Sequence, residues 1–235
     1  MTRNAATFTA AGLRRGAVAI LPLAPGGLLF GLSLGLLAAG AGLSLGETAF
    51  MSLSVFAGAS QYLAVELWRE PLPIASIVLA TLVVNLRHVL MGAVLAPWLR
   101  ALPRRQVLPS LFLLVDENWG VTAARRQGPA GQQESDLGFL VGGGLPLYGL
   151  WTTGSLLGHA AAGLIADPRA WGLDALAGAV FLVLLLLQWR GPRCLLPWAV
   201  AAGVALAAQT VLPIAWTVLL GALAGALAGA LRDGR

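Results

Sequence analysis

The sequence predicts an all-α, polytopic integral membrane protein, a helical bundle in which some helices are broken or re-entrant. Three observations carry that prediction. Hydrophobic residues make up 58% of the chain and charged residues 11%, with a mean hydropathy of +0.81, outside the range of water-soluble domains. The apolar residues gather in runs close to the ~20 residues that cross a ~30 Å hydrocarbon layer. Proline and glycine clusters interrupt several of those runs. A chain of 235 residues has room for roughly seven or eight such runs, so residues 1–235 read as a single transmembrane domain.

The runs lie at about Ala17 to Ala41, Thr48 to Trp68, Pro73 to Leu99, Val107 to Ala124, Leu137 to Ile165, Leu173 to Trp189, Leu195 to Val211 and Pro213 to Leu231. The first follows Arg14-Arg15 in the manner of a signal peptide. It continues past the length of an apolar signal core, so it reads as an uncleaved first helix. If all eight runs cross from a cytoplasmic N-terminus, Arg100, Arg104 and Arg105 fall outside, against the positive-inside rule. If the second and fourth runs enter and leave on one side, Arg14, Arg15, Arg100, Arg104, Arg105, Arg125, Arg126, Arg190, Arg193, Arg232 and Arg235 are all cytoplasmic. Arg69 and Arg169 alone stay outside. The six-crossing arrangement with two re-entrant segments is preferred on that ground, and both arrangements put both termini in the cytoplasm.

Breaks are expected where proline removes a backbone donor or glycine relaxes the chain. The candidates are Pro22 with Pro25-Gly26-Gly27 in the first run, Gly58-Ala59-Ser60 in the second, and Gly142-Gly143-Gly144-Leu145-Pro146 in the fifth. Half-helix ends at membrane depth present free backbone groups to a solute. A faint repeat pairs Leu21-Pro22-Leu23 with Leu145-Pro146-Leu147, and Glu47 with Asp174. Glycines at four-residue spacing, Gly27/Gly31/Gly35 and Gly221/Gly225/Gly229, suit close helix packing within the chain, with the last helix also open to a partner subunit.

Polar residues inside apolar runs are costly and mark sites to inspect. On a regular helix Thr81, Asn85, His88 and Gly92 share one face, with Arg87 well over 100° away from Asn85. The Asn85/His88 face could line a solute path. Arg87 either meets a carboxylate substrate or pairs with Asp116 or Glu117. His88 could couple protons or serve as a hydrogen-bonded packing group. In the second run Ser54, Gly58 and Gln61 share a face, and Ser60 sits at the expected break. Asp116 and Glu117, two adjacent acids without a basic partner in their own run, must be paired, protonated or wetted. His159, a lone polar group in the fifth run, reads as structural.

Other functional classes are poorly supported. All fifteen basic residues are Arg, and they cluster at the ends of apolar runs instead of forming a stripe, so no nucleic-acid partner is expected. The lone Cys194 forms no internal disulfide or cysteine-based metal cluster, and no cofactor is indicated. Ser60 with His88 superficially resembles an intramembrane serine protease, but Gln61 follows where such sites have Gly. No metalloprotease or nucleotide-binding motif is present. An enzyme is not expected.

Taken together, Pro25-Gly26-Gly27-Leu28-Leu29-Phe30-Gly31, Ser52-Leu53-Ser54-Val55-Phe56-Ala57-Gly58-Ala59-Ser60-Gln61, Asn85-Leu86-Arg87-His88 and Asp116-Glu117 closely resemble the AzlC family of bacterial branched-chain amino acid exporters. The family's usual Pro-Phe-Gly near the start is here Pro25-Gly26-Gly27. The resemblance implies a secondary exporter of hydrophobic amino acids in the bacterial inner membrane, working with a small AzlD-type membrane subunit. Protons are one candidate coupling ion. For such a substrate, Arg87 or a broken-helix N-terminus would hold the carboxylate and Asp116 or Glu117 the ammonium. The alternative is a non-transporting channel or assembly subunit whose polar residues are purely structural.

Overall fold

A computed structural model describes residues 8–100, 102–127, 136–164, 191–212 and 214–233, with Leu182, Leu186 and Trp189. The described residues form an all-α membrane protein with broken helices and no β-strand among them. Expectations placed on the Leu173–Trp189 run, on Asp174 and on Arg169, Arg190 and Arg235 lie outside them. By internal contacts the chain divides into two compact units, Met1–Gly58 with Leu86–Trp171, and Ala59–Asn85 with Gly172–Arg235. The long helix α5 (Ile74–Leu99) belongs to both, and the division falls between Asn85 and Leu86.

In the first unit, α1 (Ala10–Ile20) and α2 (Ala24–Gly40) are joined by Leu21-Pro22-Leu23 and bent 69° from one another. The expected break is therefore present, but it precedes Pro25-Gly26-Gly27. Pro25 lies in the first turn of α2, where its missing N–H would have no helical partner anyway, so Gly26 and Gly27 are helical.

Both α1 and α2 lie along α8 (Leu137–Ala162) at backbone-to-backbone distance. A methyl group on Gly16 would meet the Phe139 carbonyl, one on Gly31 the Trp151 carbonyl, and one on Gly35 the Ser155 carbonyl. The fit is reciprocal, since a methyl on Gly142 would strike the backbone of Leu13 and one on Gly158 that of Leu32. Small residues let two helices approach where lipid supplies no hydrophobic drive.

The expected break at Gly142–Pro146 does not form, because α8 continues through Pro146. Proline removes only one helical hydrogen bond, and the glycines serve another purpose. A β-carbon on Gly143 would lie 3.2 Å from Asn118 Cβ, and one on Gly144 would lie 2.7 Å from Leu113 Cβ. Close approach to α1 at Gly142 and to Asn118 and Leu113 at Gly143 and Gly144, and not flexibility, accounts for this triplet.

Helix α3 (Leu45–Ser54) opens with a capping box. Ser44 Oγ accepts from Glu47 N and the Glu47 carboxylate accepts from Ser44 N at 2.7 Å, which satisfies two otherwise orphaned donors. The helix ends before Val55-Phe56-Ala57, and α4 (Gly58–Glu66) follows. This is the expected break of the second run, centred just ahead of Gly58-Ala59-Ser60. Because it interrupts the helical register, Ser54, Gly58 and Gln61 do not share one helical face, contrary to the sequence-based expectation.

The fourth run is broken in the same way. Helix α6 (Arg104–Phe112) and α7 (Asp116–Gln127) are separated by Leu113-Leu114-Val115. Near this break Met91, Leu95, Trp98, Leu114, Leu137 and Leu140 are buried in one apolar cluster with Trp119 packed against it. Leu86, Val89, Leu90 and Val94 on α5 are exposed, as suits a lipid-facing stripe. Among the described residues Ile74–Leu99 alone is long and apolar enough to cross a membrane by itself, and α1 with α2 would make a second such span.

In the second unit Leu67 and Ala80 are buried together against Leu63 and Ile77. Helices α9 (Leu195–Ala208) and α10 (Ile214–Asp233) pack through the other glycine stripe. A β-carbon on Gly225 would sit 2.8 Å from Ala201 Cβ, and one on Gly221 would sit 2.9 Å from the Ala201 carbonyl.

Candidate functional site

The first unit brings Arg87, Asp116 and Glu117 together. Arg87 projects from α5 and Asp116 opens α7, and Arg87 Nη1 donates to Asp116 Oδ2. Their side chains are 30% and 49% exposed, so the pair is reachable and not sealed in the core. Arg87 Nε is buried and without a hydrogen-bond partner among the described residues. Glu117 lies within electrostatic range of both Asp116 and Arg87.

Neighbouring contacts explain why Asp116 stands where it does. Trp119 Nε1 donates to the Met91 carbonyl at 3.2 Å. The two links, 87 to 116 and 91 to 119, tie the first turn of α7 to this part of α5 through two long side chains. Asn118 is 1% exposed and repairs the α6/α7 break. Its Oδ1 accepts from Val115 N at 2.9 Å, while Nδ2 donates to the carbonyls of Leu113 at 2.7 Å and Leu140 at 3.2 Å. One side chain thereby replaces backbone partners lost at the break and ties it to α8.

Tyr148 of α8 joins the two breaks. Its hydroxyl donates to the Leu53 carbonyl at 2.9 Å, in the last turn of α3, where carbonyls lack helical partners. Its ring packs edge-on to Phe56 in the first break, 5.3 Å between centroids, and to Phe112 at the end of α6, 5.6 Å. Gly58 faces Trp151, and an added β-carbon would lie 2.7 Å from the indole. Ser54 Oγ turns back to the Phe50 carbonyl at 2.6 Å. His88 lies partly buried on α5, one residue beyond Arg87.

In the second unit Ser60 Oγ donates to Asn85 Oδ1 at 3.2 Å. Beside Ser60, Gln61 is 2% exposed, yet neither its amide nitrogen nor its oxygen has a partner among the described residues. A buried amide with spare donors and an acceptor is costly unless something hydrogen-bonds to it. Thr81, expected on the same face as Asn85, is satisfied by the Ile77 carbonyl at 2.8 Å.

Two features escaped sequence reasoning. Tyr148 gave no signal, since its partner is a carbonyl exposed only once α3 ends. Asp136 carried a weak one, an acid just before an apolar run. It caps α8 through Gly138 N at 2.9 Å, accepts from Thr9 N at 2.9 Å and from the Thr9 hydroxyl, and lies 3.6 Å from Arg15 Nη2. This cluster pins the start of α1 to the start of α8. His159 is hydrogen-bonded to Thr48 Oγ1 at 3.0 Å. Among the described residues no three His, Cys, Asp or Glu side chains come together as a metal site.

A family model described as AzlC protein matches residues 22–165, which spans α2 to α8 and both breaks. A relative described as an uncharacterized membrane protein, from Archaeoglobus fulgidus, is 31% identical over 180 residues, covering 76% of each chain. No solved structure matches.

Proposed function

The chain belongs to the AzlC family of membrane transporter-type proteins, and from that membership we propose that it is the large subunit of a secondary exporter of branched-chain or other hydrophobic amino acids. Its place is the bacterial inner membrane, and its partner a small AzlD-type subunit. The observation that carries the proposal is the reachable Arg87–Asp116 pair at the head of α7. An amino acid is a zwitterion with an apolar side chain. Inserted into this pair, its carboxylate takes the guanidinium, which keeps donors beyond the one given to Asp116. Its ammonium takes Asp116 or Glu117. The Phe56, Tyr148 and Phe112 rings supply apolar surface at the adjoining breaks.

This arrangement has an electrostatic advantage. Without substrate the Arg87 and Asp116 charges neutralise one another, and with a zwitterion bound between these two side chains the four charges again sum to zero. The protein does no covalent chemistry in this account. The Ser60–Asn85 hydrogen bond, with the buried Gln61 beside Ser60, lies in the other unit.

A second reading is favoured by the same contact, because an internal ion pair is also what an assembly subunit without flux would need. Liposomes holding this protein, with and without its small partner, separate the two when loaded with labelled leucine. Leucine efflux above that of empty liposomes supports the exporter. Equal efflux for leucine, isoleucine, valine and methionine with and without protein overturns it.

A further inference from the structure

Two contacts set the register of α3 against α8. Thr48 Oγ1 lies 3.0 Å from His159 Nδ1, and Tyr148 OH donates to the Leu53 carbonyl at 2.9 Å. The numbers rise along one helix as they fall along the other, so the helices run antiparallel between these rungs. At 3.6 residues per turn, Tyr148, Thr152, Ser155 and His159 fall within about 60° of one another around α8. Thr48 and Ser52 lie one turn apart on α3. Each helix therefore turns a row of polar side chains into the seam.

The row is buried. Thr48, Ser52 and Ser155 are 0% exposed and Thr152 is 9% exposed. Ser155 is satisfied by the Trp151 carbonyl at 2.8 Å, but Ser52 Oγ and Thr152 Oγ1 have no hydrogen-bond partner among the described residues. A buried hydroxyl left without one keeps its full desolvation cost. Two of them between the hydrogen-bonded rungs of one seam point to internal water, which is found where several polar groups share a buried space.

The rungs also order the protons. Thr48 Oγ1 lies 3.1 Å from the Ser44 carbonyl, to which its hydroxyl donates. Its oxygen is left to accept, so the proton shared with His159 sits on Nδ1. That bond survives whether the ring is neutral or charged, and it orients the imidazole. Proton exchange falls to Nε2, which carries the free lone pair of the neutral ring. No acid on the helices that meet His159 opposes this. Helix α2 has no ionisable side chain, α8 has only Tyr148 besides His159, and α3 has only Glu47, whose carboxylate is engaged by Ser44.

Resting on the transporter reading above, we propose that the α3–α8 seam is a hydrated file carrying the coupling proton between His159 and the break at the end of α3. His159 takes the proton at Nε2 and returns it to a water of the file. Ser52 and Thr152 relay it, each oxygen accepting one proton as it releases another. The file spans eleven residues of α8, about 16 Å at 1.5 Å per residue, roughly half a hydrocarbon layer. It ends at Tyr148, against the Phe56 and Phe112 rings of the two breaks.

The test uses the native protein, with its small partner, in liposomes holding a pH-sensitive dye. Leucine exchange and leucine-driven change of luminal pH are recorded together for native, His159→Gln and Thr152→Val proteins. Glutamine keeps a donor for Thr48, and valine keeps the shape of threonine. Both variants are expected to retain leucine exchange and to lose the pH change. Native-like pH change in either variant overturns the file, as does native exchange with no pH change. If the native protein exchanges no hydrophobic amino acid, the transporter reading fails, and the thermal midpoint of Thr152→Val judges the seam separately. A hydrated seam loses a hydrogen-bonding member and the midpoint falls. A dry seam is relieved of an unpartnered hydroxyl and the midpoint rises, which overturns the file.

Discussion

The Tyr148 hydroxyl donates to the Leu53 carbonyl across 2.9 Å, tying the middle of α8 to the last turn of α3 just before the chain leaves its helix. Tyr148→Phe should preserve the ring contacts with Phe56 and Phe112 while leaving that carbonyl without its partner, at about 1–2 kcal/mol. Tyr148→Ala should cost clearly more, because both aromatic contacts go too. Thermal unfolding in detergent ranks the two, and equal midpoints would contradict the assigned role.

Arg87 and Asp116 are both partly exposed, so their pairing should contribute only about 0–1 kcal/mol to stability. Asp116→Asn should consequently fold almost normally and yet lose leucine efflux. The exchange Arg87→Asp with Asp116→Arg restores a pair but reverses the field met by a zwitterion. It should recover stability without recovering efflux. Recovered transport would move the carboxylate site elsewhere.

Asn118 satisfies two backbone carbonyls and one backbone N–H from a buried position. Asn118→Leu should destabilise the protein by about 2–4 kcal/mol, since each buried group left unpaired costs roughly 1–3 kcal/mol and some relaxation follows. Chemical unfolding checks this, and Asn118→Asp should be intermediate because it keeps the acceptor for Val115 N.

Gly35→Ala should prevent folding or cost more than about 3 kcal/mol, as the added methyl meets the Ser155 carbonyl and the backbone of His159. Gly149→Ala on α8, where nothing lies within 4 Å of the new atom, should be neutral or stabilising by about 0.5–1 kcal/mol. Expression yield and unfolding midpoints of the two variants give the contrast.

Glu47, just ahead of the second apolar run, has its carboxyl held below the usual glutamate range, first by the Ser44 backbone N–H and then by the Ser44 side chain. A pKa lower in the folded state means that the folded protein favours the ionised carboxylate. The resulting stabilisation is present above the ordinary glutamate value of about 4.3 and is lost as pH falls through the lowered value. The unfolding midpoint of the native protein should fall more steeply than that of Glu47→Gln over this acid range. Parallel curves would rule out the capping role.

Composition and apolar run length by themselves determined the all-α membrane class, because a chain so poor in charge cannot solvate a folded surface in water. The residue strings around Phe56-Ala57-Gly58-Ala59-Ser60-Gln61 and Asn85-Leu86-Arg87-His88 carried the family resemblance, and the helix period was enough to turn Arg87 away from Asn85. The breaks were only partly legible. Proline and glycine mark chain freedom, but whether it is used for a break or for close packing depends on what lies opposite, which is why Gly142–Pro146 remains helical against α1 and Asn118. Only the tertiary structure could choose Asp116 for Arg87, Thr48 for His159 and Leu53 for Tyr148. Each partner is distant in sequence or is a backbone carbonyl with no residue type to betray it, so no local pattern along the chain could name it.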